Sequence, residues 1–157
     1  MKARVVTVSD RCAAGEAQDR SGPLAVTLLA EHGVSADDVV VVPDEIASIA
    51  AAVQAGVADG VDLVLTTGGT GLSPRDVTPE AVGPLLERTL PGIAETLRAA
   101  ARERVPTSVL SRGVAGVVGR TLVVTLPGST GGVRDGVAVV GPLLAHTVDQ
   151  LRGGDHR

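Results

Sequence analysis

Three glycines in four positions, Gly68, Gly69 and Gly71, sit among the hydroxyls of Thr67 and Thr70. Side chains this small let a ligand reach backbone N–H groups, and that arrangement suits an oxyanion, most simply a phosphate. Arg75 and Asp76 follow just ahead of Thr78-Pro79-Glu80, where Thr reads as an N-cap, Pro as a first helical residue, and Glu as a complement to the helix dipole. The common glycine-loop signatures do not fit. A P-loop needs a lysine after its glycines, and Lys2 is the only lysine in the chain; a dinucleotide fingerprint needs a third glycine where Pro74 stands. The plain alternative is a tight strand-to-helix connection. Two threonines and an Arg-Asp pair within ten residues weigh against it.

Such a loop needs a strand before it and a helix after it. Val61, Leu63, Val64 and Leu65 read as a strand buried on both faces, ending at Thr66. Ala3 to Val8 reads as the first strand, followed by a polar loop from Ser9-Asp10 to Gly22, and Val39 to Val42 as the second, ending in Pro43-Asp44-Glu45. Helices are expected from Pro23 to Gly33 and from Ile46 to Gly60. Right-handed crossovers make these three strands parallel, so the three loops share one edge, where open α/β sheets bind ligands. With the first strand in the middle, the flanking loops stand roughly 10 Å apart, two spacings of about 4.8 Å, and a pyrophosphate-sized group would bridge them.

Beyond Pro79 the chain reads as helical, interrupted at Gly83-Pro84 and at Leu90-Pro91-Gly92. Val114 to Val118 and Thr121 to Leu126 read as a hairpin whose Gly119-Arg120 suits a type II′ turn. A second glycine loop, Pro127 to Gly132, then leads into a helix from about Val133 to Leu151, with Gly136 and Gly141-Pro142 as expected irregularities. The organisation is a single domain over 1–152, with 153–157 as a disordered tail.

Phe, Tyr and Trp are absent from all 157 residues, although 44% are hydrophobic, so the core must be built from Val, Leu, Ile and Ala. That absence, with a net charge of −4, argues against nucleic acid, which is bound through aromatic platforms and basic surfaces. Cys12 is the only cysteine, so neither an internal disulfide nor a thiolate zinc site is available. No apolar run reaches the length of a membrane span, and Met1-Lys2 leads directly into a strand; the expectation is a cytoplasmic protein with no membrane partner.

The chain resembles the MoaB/Mog family of molybdenum cofactor biosynthesis proteins over nearly its whole length. The matching pieces are Ser9-Asp10, Asp19-Arg20-Ser21-Gly22-Pro23, Pro43-Asp44-Glu45, Thr66 to Gly71, Arg75 to Glu80, Ser111-Arg112 and Leu126-Pro127-Gly128. The resemblance implies a three-layer α/β/α sandwich with a mixed, mostly parallel central sheet, assembled as a trimer or hexamer. It also implies binding of molybdopterin and, in the Mog branch, transfer of AMP from ATP to its terminal phosphate, which prepares the cofactor for a downstream molybdenum insertion protein.

On that reading Thr67, Gly68, Gly69, Thr70 and Gly71 cradle phosphate. Asp44 and Asp76 are the catalytic pair; carboxylates beside phosphates repel unless a hard cation lies between, so both are assigned to Mg²⁺. Ser9, Asp19, Ser21, Gly22, Gly128 and Ser129 are expected to line the pterin or nucleotide pocket, although Asp19 or Ser21 would equally cap the first helix. Arg75 either neutralises phosphate or pairs with a neighbouring carboxylate. Mog members carry a proline two residues after the glycine of Leu-Pro-Gly, whereas this chain has Gly128-Ser129-Thr130, as in the MoaB branch; Arg75-Asp76 points to Mog. Adenylyl transfer is therefore the leading expectation, and a protein that holds molybdopterin without turnover is the alternative.

Overall fold

The β-branched runs form the middle of one mixed sheet, and the computed structural model describes residues 1–154 of the chain. In chain order the elements are β1 (Lys2–Val8), α1 (Asp10–Ala13), α2 (Ser21–Ala30), β2 (Ser35–Ala36), β3 (Val40–Val42), α3 (Ile46–Ala58), β4 (Leu63–Thr67), α4 (Thr78–Val82), β5 (Arg88–Thr89), α5 (Pro91–Ala101), β6 (Ala115–Val118), β7 (Thr121–Leu126) and α6 (Thr130–Leu151). The strand order is β2-β1-β4-β7-β6-β5, with β3 also paired to β1. β1 runs parallel to β2, β3 and β4, and β4 parallel to β7. Only β6 among the described strands runs the other way, antiparallel to both β5 and β7.

Two aliphatic cores cover the two faces. Val5, Leu63, Leu65, Leu122 and Val124 pack under α2 and α6, with Ile93 and Leu97 of α5 alongside. Val6, Val64 and Val123 pack under Ile49 and Val53 of α3 and Ala81 and Val82 of α4. The architecture is the expected three-layer sandwich, with β1 central among the first strands. Gly119 has φ 57° and Arg120 has no positive φ, the sign pattern of a type II′ turn, and the hairpin pairs Val118 with Thr121.

Several local expectations are corrected. β4 does not end at Thr66: both threonines continue the ladder, Thr67 pairing with Thr7 and Leu126, because a β-branched side chain suits a strand. The two-residue strands β2 and β5 and the single turn α1 fall where loops or helix were expected. α6 starts at Thr130, with Ser129 as its N-cap. Gly136 and Gly141 serve close approach: a Cβ on Gly136 would lie 2.5 Å from the Leu126 side chain, and one on Gly141 would meet the His32 ring. Of the expected tail, 155–157 lie outside the described residues; Gly153 and Gly154 close α6 through N–H bonds to the carbonyls of Gln150 and Asp149. No helix among the described residues is long and apolar enough to cross a membrane.

Candidate functional site

β1, β3, β4 and β7 point the same way, so the segments that follow them meet at one edge of the sheet. They enclose a cleft of about 790 Å³. Gly68 enters the turn after β4 at φ 103° and Gly69 follows at φ 65°, conformations that favour glycine. The Gly68 N–H donates to Leu126 O at 3.0 Å, and the Thr78 hydroxyl donates to Gly68 O at 2.9 Å. Thr78, expected to cap a helix, is instead fully buried and pins the turn. The N–H groups of Gly69, Thr70 and Gly71 donate to no protein acceptor among the described residues. All three residues line the cleft.

A second set of free donors faces them. Ser129 Oγ accepts from Gly132 N, and its carbonyl accepts from Val133 N, which leaves the N–H groups of Gly128, Ser129, Thr130 and Gly131 without protein acceptors among the described residues. They open the 22-residue α6, whose first turn holds no acidic residue, so its dipole favours an anion here. The two turns touch: a Cβ on Gly128 would lie 3.1 Å from the Gly68 Cα. The sequence pointed to Gly128 and Ser129 but not to Thr130 or Gly131, because the start of α6 was placed three residues late.

Asp44 and Asp10 interlock across the loops after β3 and β1. The Asp10 N–H donates to Asp44 Oδ2 at 2.8 Å and the Asp44 N–H to Asp10 Oδ1 at 2.9 Å. Arg75 grips Asp10 through two bonds, at 2.9 and 2.8 Å. Hydrogen bonding from Arg75 holds the Asp10 carboxyl below its ordinary range, whereas desolvation pushes that of Asp44 up, reinforced by the charges of Asp10 and Asp76. Asp76 Oδ2 accepts from Ser73 N at 2.8 Å. Each of Asp44 and Asp76 thus keeps one oxygen, Oδ1, that accepts no hydrogen bond among the described residues, and both side chains line the cleft.

Of the other expected contacts, Ser9, Asp19 and Ser21 line the cleft, but their polar atoms are engaged within the protein. Ser9 Oγ accepts from Cys12 N. Asp19 accepts from the N–H groups of Ser21 and Gly22 and from the hydroxyls of Ser21 and Thr7, so it caps α2, the second of its two expected roles. Two expectations are corrected. Thr67 is fully buried and shares a 2.8 Å hydrogen bond with Ser21, so its hydroxyl faces the protein interior. Gly22 is off the cleft wall, where a Cβ would collide with Asp19, Val39 and Thr7. Arg75 is off the wall as well and pairs with Asp10, the second of its two expected roles.

Arg112 was missed as a site residue, although Ser111-Arg112 belonged to the matching pieces. Its Nε donates to Gly71 O at 2.8 Å, its second amino group to Asp76 O at 2.6 Å and its first to the Glu80 carboxylate, while its N–H donates to Thr70 O at 2.8 Å. The far end of the cleft is framed by Ala94, Leu97, Val105 and Leu110, with Arg98 donating to the carbonyls of Ser111 and Gly113.

Residues 4–146 match the family model described as "Probable molybdopterin binding domain". The chain belongs to this family. It is 46% identical over 154 residues to the "Molybdenum cofactor biosynthesis bifunctional protein" of Synechococcus elongatus, covering 98% of this chain and 48% of that one. It is 37% identical to the "Molybdopterin adenylyltransferase" of Pyrococcus furiosus, covering 94% and 89% of the two chains. The crystal structure of the molybdopterin biosynthesis enzyme MoaB from Thermus thermophilus superposes with a TM-score of 0.91 at 41% identity, covering 99% of each chain. The chain spans about half the length of the bifunctional relatives it matches.

A hard divalent cation would find oxygen donors here. Among the described residues no three His, Cys, Asp or Glu side chains gather as a ready-made cage. Two carboxylates with one unbonded oxygen each are nonetheless what Mg²⁺ takes from a protein when waters and substrate phosphates fill its other positions. Removing Asp44 from water raises the cost of its charge, and a cation would relieve it.

Proposed function

We propose that this cleft binds molybdopterin and ATP and transfers AMP to the terminal phosphate of molybdopterin, releasing pyrophosphate. The observation that carries the reading is the pair of touching N–H turns. Holding one phosphate requires one such turn, whereas a transfer between two phosphates requires two sets of N–H donors side by side, as where the Gly68 and Gly128 backbones touch. The Gly69 to Gly71 donors and the Gly128 to Gly131 donors would each hold one phosphate, each charge-assisted bond contributing about 1.5 to 3 kcal/mol. A terminal phosphate oxygen of molybdopterin then attacks the α-phosphorus of ATP. One P–O bond forms there, the bond to the bridging oxygen of the β-phosphate breaks, and its electrons leave with pyrophosphate. A phosphate monoester is largely dianionic at neutral pH, so no protein base is needed.

The chain therefore supplies position and fixed donors. Asp44 and Asp76 would hold Mg²⁺ at the phosphate edge, and the cation, when bound, neutralises phosphate charge and helps the leaving group depart. The Pyrococcus relative named as an adenylyltransferase supports this reading. Gly128-Ser129-Thr130 favours a second one, a MoaB-type carrier that binds molybdopterin without turnover. Incubation with ATP, Mg²⁺ and molybdopterin separates them: the transferase releases pyrophosphate in step with adenylylated molybdopterin, and the carrier binds the pterin and releases none.

The same reading places the protein in the cytoplasm, upstream of a molybdenum insertion protein, as a trimer or hexamer. The apolar groove between α5 and α6, formed by Leu90, Pro91, Ile93, Val139 and Leu143, supports self-association. A monomeric mass by light scattering at micromolar concentration would contradict it.

A further inference from the structure

The segment from Leu72 to Arg75 is exposed throughout, with Leu72 64% accessible, so no packed core holds the loop that carries Asp76. Within the loop, the hydrogen bonds run between Ser73 and Asp76, apart from a 3.4 Å contact from Arg75 N to Ser73 Oγ. These bonds fold the turn upon itself but do not fix it to the cleft. Two arginines do so: Arg75 ties the exposed stretch to Asp10, and Arg112, which lies 36 residues beyond Asp76 on the segment leading into β6, holds the two ends of the loop. The guanidinium reaches the carbonyls at the two ends of the loop, Gly71 O and Asp76 O, from one rigid plane, and Glu80 on α4 orients that plane from a third side. The backbone N–H of Arg112 takes the carbonyl just before the loop, at Thr70.

We propose that Arg112 is a positioning residue of the transfer site: its guanidinium sets the distance between Gly71 and Asp76 and so aims the free Asp76 oxygen into the cleft. The inference rests on the function proposed above. A planar fork with five donors spans three acceptors in fixed directions; an ammonium on a flexible stem does not. Arg112→Lys therefore keeps the charge and loses the geometry. Arg112 holds Gly71 through its carbonyl and leaves the Gly71 N–H free, and its effect on the reacting groups passes through Asp76.

The test compares Arg112→Lys and Asp76→Asn, singly and together, with Glu80→Gln as a milder variant that keeps Arg112 and loosens its orientation. Turnover is read as kcat and as KM for molybdopterin, alongside the Mg²⁺ concentration for half-maximal rate and deuterium uptake of peptides covering 68–80. The expected result for Arg112→Lys is a kcat lower by about 10- to 100-fold, of the order seen when a reacting group is misplaced by about 1 Å, with KM for molybdopterin little changed. Half-saturating Mg²⁺ should rise several-fold, and exchange in 71–76 should quicken while β1 and β4 stay protected. Glu80→Gln should move each readout in the same direction by less. The double variant should be no slower than Asp76→Asn alone, because both changes act on one carboxylate. Additive losses, unchanged exchange in 71–76, or unfolding confined to the core strands would overturn the proposal. If the wild type shows no turnover, the proposed function fails; calorimetric binding of Mg²⁺-ATP and the exchange measurement still decide the role of Arg112, since a positioning role predicts weaker Mg²⁺-dependent binding and a looser loop.

Discussion

Gly71→Ala should damage the reaction while leaving the fold largely intact. The backbone of Gly71 is outside the left-handed region, so alanine fits its conformation. An added Cβ would lie 2.8 Å from Asp76 Oδ2 and 3.5 Å from its Cγ, with no other heavy atom within 4 Å. The overlap therefore falls on the carboxylate alone. That oxygen is the one held by Ser73 N, so the side chain must swing away and lose a 2.8 Å bond, or the loop must shift with it. A hydrogen bond to a charged acceptor contributes about 1.5 to 3 kcal/mol, and exposure of the loop reduces this to about 1 to 2 kcal/mol of stability. In a chain of this size that is a Tm lower by about 2 to 8 °C. Displacing Asp76 by about 1 Å should cost roughly 10²-fold in turnover. The assay is pyrophosphate release at saturating ATP, Mg²⁺ and molybdopterin, with thermal unfolding in parallel. Gly92→Ala in α5, where an added Cβ meets nothing within 4 Å, is the control: it should leave turnover unchanged and should not lower Tm, since alanine is the better helix former. Wild-type turnover in Gly71→Ala would refute the reasoning.

Asp76→Asn should lower turnover by roughly 10² to 10³ at saturating Mg²⁺, Asp44→Asn should act in the same direction, and the double variant should lose less than the sum if both serve one cation, as steady-state rates would show. Thr66→Val should raise stability by about 1 kcal/mol in urea denaturation, because the Thr66 hydroxyl is fully buried without a partner among the described residues and valine keeps its shape. Hydrogen bonding from Arg112 holds the Glu80 carboxyl below its ordinary value of 4.5. The contribution of this pair is therefore complete above pH 4.5 and is lost as pH falls through the lowered value. Glu80→Gln should show a shallower fall in stability below pH 4.5 than the wild type in denaturation curves taken from pH 6 to 3.

What the sequence disclosed followed from patterns confined to single elements. Continuous apolar runs disclosed β1, β3 and β4, and the sign of φ at Gly119 matches the turn expected from a Gly-X pair. Two-residue strands such as β2 and β5 are too short to carry a period, and they form because β1 and β6 offer edges to pair with. Thr78 looked like a cap because Pro79 and Glu80 follow it; its partner, Gly68 O, exists only because the glycine turn folds back upon α4. The glycine turns and both aspartates were legible as candidates, and they line the cleft. Which groups remain free was not, since that depends on pairings across long separations: Arg75 with Asp10, 65 residues apart, and Arg112 with Gly71, 41 apart.

The most direct measurement follows the α-phosphate of ATP. Wild-type protein is mixed with Mg²⁺, molybdopterin and ATP labelled at the α-phosphorus, and the products are separated within a single turnover. The account predicts label in the pterin product, unlabelled pyrophosphate in equal amount, and loss of both in Asp76→Asn with molybdopterin still bound. Label that stays in ATP while the wild type holds molybdopterin tightly would contradict it.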